Sequence, residues 1–209
     1  MSSGMSRRDR QAAQTRRDIL DAALRLFAER GYARTSIADI AAEAGVAVPT
    51  LYTSVGTKPA LLRHLIDSVD EKANVGELAR CLHAETDPAT VVELEVQITR
   101  QVAERSGSVI RALASAAVVE AEMAEAYAAG IARHRAGARS TVDKLVQLKA
   151  LRPDLSPADA TAIVASMTSA AMYQLLTGDY GWTFDQCAHW LNQTLRAQLL
   201  APDSVEPAR

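Results

Sequence analysis

The chain has 209 residues, 48% of them apolar but only 4% aromatic, and a formal net charge of −2. That length can bury a real core in one or two domains, and alanine-rich, aromatic-poor composition favours close-packed helices over a β-sandwich. The near-neutral charge argues against a general nucleic-acid coat, and no run of about 18 apolar residues offers a membrane span. Cys81 and Cys187 stand in neither a metal nor a disulfide-framework spacing. MSSGMSRRDR at the start lacks the apolar centre of a secretion signal. A reduced, cytoplasmic protein is expected, without cofactor or metal. The charge is unevenly spread. Residues 1–60 hold nine Lys or Arg against six Asp or Glu, and the remainder fourteen against nineteen. A basic N-terminal third beside an acidic remainder fits a DNA-reading head on a different body.

Residues 1–10 read as a flexible basic arm, in which Arg7, Arg8 and Arg10 could follow phosphates or enter a minor groove, or simply form a solvated tail. A helix is expected over 11–30, where Ile19, Ala23, Leu26 and Phe27 recur at helical spacing and Gly31 closes it. Phe27 and Tyr32 read as core, and Arg16 and Arg17 as either phosphate contacts or a solvated face. Ile37, Ile40, Ala41 and Ala44 then mark a short helix, with Ser36 as N-cap, Asp39 in its first turn and Gly45 at its end. A second short helix opens at Pro49, with Leu51 and Val55 inward and Thr50, Tyr52, Thr53 and Ser54 outward. Two short helices about a tight glycine turn make a helix-turn-helix, whose second helix is shaped to enter a major groove. A packed helical hairpin without a nucleic-acid role fits the periodicity as well.

Thr57 caps a fourth helix, expected to run from Lys58 to about residue 80 on a stripe of Leu61, Leu62, Leu65, Ile66 and Val69. Asp87-Pro88 opens a helix to about 105, broken at Ser106-Gly107-Ser108, with a shorter one to about 117. Residues 120–149 form a long alanine-rich helix weakened at Gly130 and Gly137. Ser156-Pro157 starts a helix reaching Thr177, and Thr183 with Gln186 makes a capping box for the last helix, which ends near Ala201. Ala162, Ser166, Ser169 and Ala170 would let helix backbones approach closely, and Trp190, Leu191 and Leu195 add apolar area. These are the candidates for a dimer interface, with packing inside one protomer as the plain alternative. His64, His83, His134 and His189 are scattered, and neither a His-Glu helical pair, a Cys-x-x-Cys, a Gly-rich phosphate loop nor G-x-S-x-G occurs, so no catalytic residue is assigned.

The run Gly31-Tyr32, Thr35-Ser36-Ile37, Ile40-Ala41, Ala44-Gly45-Val46, Thr50-Leu51-Tyr52, Lys58 and Ala60-Leu61-Leu62 resembles the tetracycline-repressor (TetR) family of bacterial transcriptional regulators. The resemblance implies an all-α fold: a three-helix DNA-binding head on a larger helical body. It sets an arm at 1–10, the DNA-binding domain at 11–57, an effector-binding and dimerisation domain at 58–201 and a loose tail at 202–209. Dimerisation through a two-fold four-helix bundle is implied too. Thr35, Tyr52 and Lys58 match phosphate-binding positions, with Ser36 beside them. Thr50 matches a threonine that touches phosphate or base, and Val48, Pro49 and Thr53 stand where bases are read. Ala47 departs from the serine common at that helix start, and Ser54-Val55 from the common His/Tyr-Phe pair. The body implies a pocket for a small, mostly apolar effector, drawn from Met123, Tyr127, Met167, Met172 and Tyr173, each equally at home in a core.

The expected function is a ligand-responsive transcriptional regulator, a repressor binding a palindromic operator in double-stranded DNA as a homodimer. A helical ligand-binding or adaptor protein that has lost DNA recognition is the alternative kept open by Ala47 and Ser54; a small helical enzyme is the other.

Overall fold

The computed structural model describes residues 6–67 and 75–201, and among them the fold is all-α. Ten α-helices follow in order: α1 Arg7–Arg30, α2 Ile37–Glu43, α3 Val48–Val55, α4 Lys58–Asp67, α5 Val75–Ala84, α6 Pro88–Ala116, α7 Ala121–Gln147, α8 Pro157–Met167, α9 Ala170–Gln174 and α10 Phe184–Leu199. A π-helical turn, Leu175–Asp179, continues α9. Among the described residues the only sheet-like pairing is an isolated antiparallel bridge between Leu151 and Leu200. The expected tail at 202–209 lies outside the described residues.

Two units make up the chain. One holds the residues up to Asp67 with Ser108–Tyr127; the other holds Val75–Gly107 with residues 128–201. The first unit extends past the DNA-binding domain expected at 11–57: it also holds α4, the end of α6 and the start of α7, because Val109, Ala112, Leu113, Ala116 and Met123 are buried in the same core as Ile19, Phe27, Leu51 and Leu61.

In the first unit the N-cap logic works twice. Ser6 Oγ accepts from Asp9 N–H at 3.2 Å and Asp9 Oδ2 accepts from Ser6 N–H, so α1 starts at Arg7 and residues 7–10 form its first turn instead of an arm. Ser36 and Asp39 repeat the reciprocal pair at the start of α2. Gly45 takes φ +66° and turns the chain toward α3, and Val46 packs half-buried on the shared core. Leu51 and Val55 dock α3 against α1 and α2. Burying each is worth about 1.5–3 kcal/mol.

In the second unit, Leu82, Val91, Val92, Val96, Val142, Leu145, Val164, Tyr173, Leu191 and Leu195 share one core. Two expected boundaries move. No break occurs at 106–108: α6 runs unbroken to Ala116, since an internal glycine costs only about 1 kcal/mol and the buried stripe from Val91 through Val109 to Leu113 outweighs it. The helix expected to reach Thr177 does break. Thr168 Oγ1 donates to Val164 O at 2.8 Å, and Ser169 recaps the chain by accepting from Met172 N–H, the competition with backbone that Ser and Thr bring to helices. The fourth helix ends at Asp67 among the described residues, and the rest of its expected span crosses 68–74, which lie outside them.

Gly45 and Gly137 both face open space, with nothing within 4 Å of an added Cβ, yet only Gly45 has positive φ. Gly45→Ala is therefore expected to destabilise by about 1–2 kcal/mol, and Gly137→Ala, mid-helix in α7, to stabilise by about 0.5–1 kcal/mol. Urea unfolding of both variants checks the pair; equal effects would disprove the conformational explanation.

Candidate nucleic-acid interface

α3 presents a two-sided surface. With Leu51 and Val55 buried, Val48, Pro49, Thr50, Tyr52 and Thr53 are all exposed, Tyr52 at 51% and Val48 at 37%. The outward face of this eight-residue helix thus carries a tyrosine ring and a valine beside two threonines. Pro49 sits in the first turn, where its missing N–H costs nothing. Ala47 offers no side-chain cap, so the positive end of α3 carries no protein anion. Thr53 Oγ1 donates to Pro49 O at 2.8 Å. Its hydrogen is thus engaged, and what it offers outward is a lone pair.

The other end of α3 is held by a residue that sequence reading left between phosphate contact and solvated face. Arg16 of α1 donates from Nη1 to Ser54 O at 2.6 Å. A guanidinium is well suited to the carbonyl end of a helix, where orphan acceptors and the negative dipole coincide. The contact spans 38 positions, so no local signal could have assigned it. Arg25 and Glu43 add an exposed α1–α2 ion pair at 3.1 Å, worth about 0–1 kcal/mol.

Three expected DNA contacts are placed otherwise. Thr35 is 1% exposed, and its hydroxyl points inward, donating to Gly31 O at 2.9 Å with Leu26 O at 3.3 Å. Its side chain closes the turn after α1 and cannot reach a phosphate, which corrects its assignment. Ser36 is exposed, but its hydroxyl donates to Asp39 at 2.6 Å. Hydrogen bonds from the Ser36 side chain, then its backbone, hold the Asp39 carboxyl below the ordinary range. Lys58 is half-buried with Nζ 4.0 Å from the centre of the Tyr32 ring. Burial lowers the affinity of that ammonium for its proton, and the charge of Glu120 opposes this. A phosphate contact requires Lys58 to leave the ring, at about 0.5–2 kcal/mol for the cation–π contact.

Tyr32 itself is a core residue. Its ring packs on Phe27 at 5.2 Å, and its N–H donates to Ser115 Oγ of α6 at 3.3 Å. Its buried hydroxyl has no hydrogen-bond partner among the described residues. Burial first, then the charges of Glu120 and Glu122, push its pKa up to about 12. Arg63 of α4 pairs with Glu122 of α7 across the same unit.

Residues 19–65 match the family model described as bacterial regulatory proteins, tetR family. Over those residues the chain resembles the DNA-binding head of tetR-family regulators. It is 42% identical over 84 residues to the HTH-type transcriptional regulator TtgR of Pseudomonas putida, a stretch covering 40% of this chain and 39% of TtgR. It is 44% identical over 75 residues to an HTH-type transcriptional repressor of Mycobacterium tuberculosis, covering 36% and 37%. The matched stretch thus spans less than two-fifths of either relative. The solved SmeT–triclosan complex has the same fold, with a TM-score of 0.71 at 19% identity over 94% of this chain and 96% of that one.

The five expected effector residues fall into separate cores. Met123, fully buried, and Tyr127, half-buried, pack in the first unit. Tyr173, buried, with Met167 and Met172, half-buried, packs in the second. The expected dimer residues also divide. Leu191 and Leu195 are 0% and 1% exposed, core residues of their own protomer, so they cannot form an interface surface. Ala162 and Ser166 are exposed on α8; Ala170 and Trp190 are half-buried; Ser169 is the N-cap of α9.

Because the Tyr32 hydroxyl is buried without a partner, Tyr32→Phe removes an unpaired polar group and keeps the ring under Lys58. Stability should stay within about 0.5 kcal/mol or rise. A loss above about 1 kcal/mol on chemical denaturation would reveal a bound partner for that hydroxyl and refute this account.

Proposed function

We propose that the chain is a sequence-specific DNA-binding transcriptional regulator, a repressor that acts in the cytoplasm as a homodimer on a palindromic operator and answers to a small effector. The observation that carries this reading is α3: clamped from behind through Leu51, Val55 and Arg16, it exposes Val48, Pro49, Thr50, Tyr52 and Thr53 together. In the major groove Val48 and Pro49 supply apolar contact suited to a thymine methyl, and Thr53 supplies an acceptor for a base amino group. Tyr52, Thr50 and a Lys58 released from Tyr32 position the helix on phosphates. One such helix reads few base pairs. Two copies about 34–36 Å apart read two half-sites.

The pairing surface proposed is the outer face of α8 and α10, a shallow groove lined by Ala162, Ile163, Ser166, Met167, Thr194 and Gln198. Small side chains on α8 let a symmetry mate approach closely. The reading of the body as effector-binding is supported by the SmeT fold likeness, in which the neighbour holds triclosan. An effector that prefers a state with displaced heads lowers operator affinity, and operator DNA lowers effector affinity by the same factor.

Fluorescence anisotropy on duplexes enriched from random sequence, against scrambled duplexes and across a salt series, tests the reading. Tight selective binding with log K linear in log salt is expected. Tyr52→Ala should weaken every duplex alike, Thr53→Val should reorder preferences, and Lys58→Met should reduce the salt slope by about one per protomer. Failure to enrich any sequence would overturn DNA recognition. Separately, Ser166→Arg and Ala162→Arg should convert a dimer to a monomer in light scattering while leaving the helical spectrum intact; an unchanged mass would place the interface elsewhere.

A further inference from the structure

A carboxyl group inside a helical core is costly unless charge or several hydrogen bonds meet it. Glu95 of α6 stands in that position in the second unit, 4% exposed among Val91, Val92 and Val96. Its Oε2 accepts from Thr141 Oγ1 of α7 at 2.7 Å. Burial pushes its carboxyl up; the Thr141 hydrogen bond and the His134 charge pull the other way. His134 is itself bonded, with Nε2 2.8 Å from Ala165 O of α8.

The polar character continues around it. Thr99, 7% exposed and one turn along α6, donates to Glu95 O at 3.0 Å and lies 3.5 Å from the Tyr173 hydroxyl, which donates to Val96 O at 3.4 Å. Ser106, eleven residues beyond Glu95, falls about 20° from it around the helix axis. It is fully buried, and its Oγ has no hydrogen-bond partner among the described residues. So the inward stripe of α6 carries Glu95, Thr99 and Ser106 where a helix that only packs would carry valine or leucine. One hydroxyl bond does not offset the burial of Glu95, and Ser106 Oγ is unpaired among the described residues.

The same core holds the groups that suit a cation with an apolar tail. Tyr173 and Phe184 lie 6.2 Å apart, Trp182 meets Trp190 edge-on at 5.9 Å, and Met172 is half-buried against the same core. Aromatic faces attract organic cations, and unbranched thioethers re-pack at low cost.

We propose that Glu95 anchors an effector site within the second unit, and that the effector class is a monovalent organic cation. Its ammonium head pairs with the Glu95 carboxylate beside Thr141 and Tyr173, and its apolar tail lies along the buried face of α6. This rests on the reading of that unit as an effector-binding body, and it replaces a purely apolar ligand with an amphiphilic one.

The full chain is titrated with decyltrimethylammonium, decanol and decanoate, which share a tail length and differ in charge. The two tryptophans of the chain, Trp182 and Trp190, report by fluorescence. The cation should bind about tenfold or more tighter than the alcohol, with the anion weakest. Glu95→Gln should bring cation and alcohol together. Should Glu95→Gln not fold, Glu95→Asp retracts the charge and should weaken the cation alone. Equal affinity for the three probes, or a cation preference unchanged in these variants, overturns the proposal. The same preparations are run on enriched operator duplexes. Operator binding without cation preference defeats this inference alone; cation preference without binding to any duplex defeats the regulator reading alone.

Discussion

The head depends on the docking of α3. Eight residues cannot hold a helix in water, where isolated helices below about 12–15 residues are marginal. Leu51 and Val55 settle the matter by entering the core with Ile19, Phe27 and Leu61, and Arg16 ties down the carbonyl end at Ser54. Everything proposed for the exposed face is a consequence. With two inward side chains fixing rotation about the axis, the outward set is determined by helical geometry alone, and Pro49, Tyr52 and Thr53 cannot exchange roles with them.

This docked helix-turn-helix was legible in the sequence because its determinants are local. Ser36 with Asp39, Gly45 and Pro49 each act within a few residues of where they stand, and the structure has them as N-cap, positive-φ turn and first-turn proline. The all-α class was legible for a similar reason, through composition and period. What escaped depends on partners far along the chain. Nothing near Arg16 tells of Ser54, nothing near Thr35 shows that its hydroxyl turns toward Leu26 and Gly31, and nothing around Ser106-Gly107 reveals the packing that carries α6 straight through.

The two boundary errors had opposite causes. At 106–108 a weak local breaker was overruled by burial on both sides. At 168–169 local chemistry won, because Thr168 and Ser169 offer hydroxyls to backbone groups that a continuing helix would have used. The misplaced interface residues Leu191 and Leu195 teach the same lesson: an apolar stripe says that a face is covered, but not by which molecule. Lys58 is a milder case. Its number in the sequence fits a phosphate contact, yet its ammonium rests on Tyr32.

The composition of the α3 surface has one more consequence. VPTLYTSV contains no arginine, lysine, asparagine or glutamine, and the hydrogen of Thr53 is already engaged by Pro49. Such a helix has no forked donor for the paired acceptors of guanine and no amide for adenine. On the proposed reading its two half-sites therefore carry little information per base pair, and discrimination among genomic sites falls to symmetry: the fixed distance and phase between two short, loosely read words.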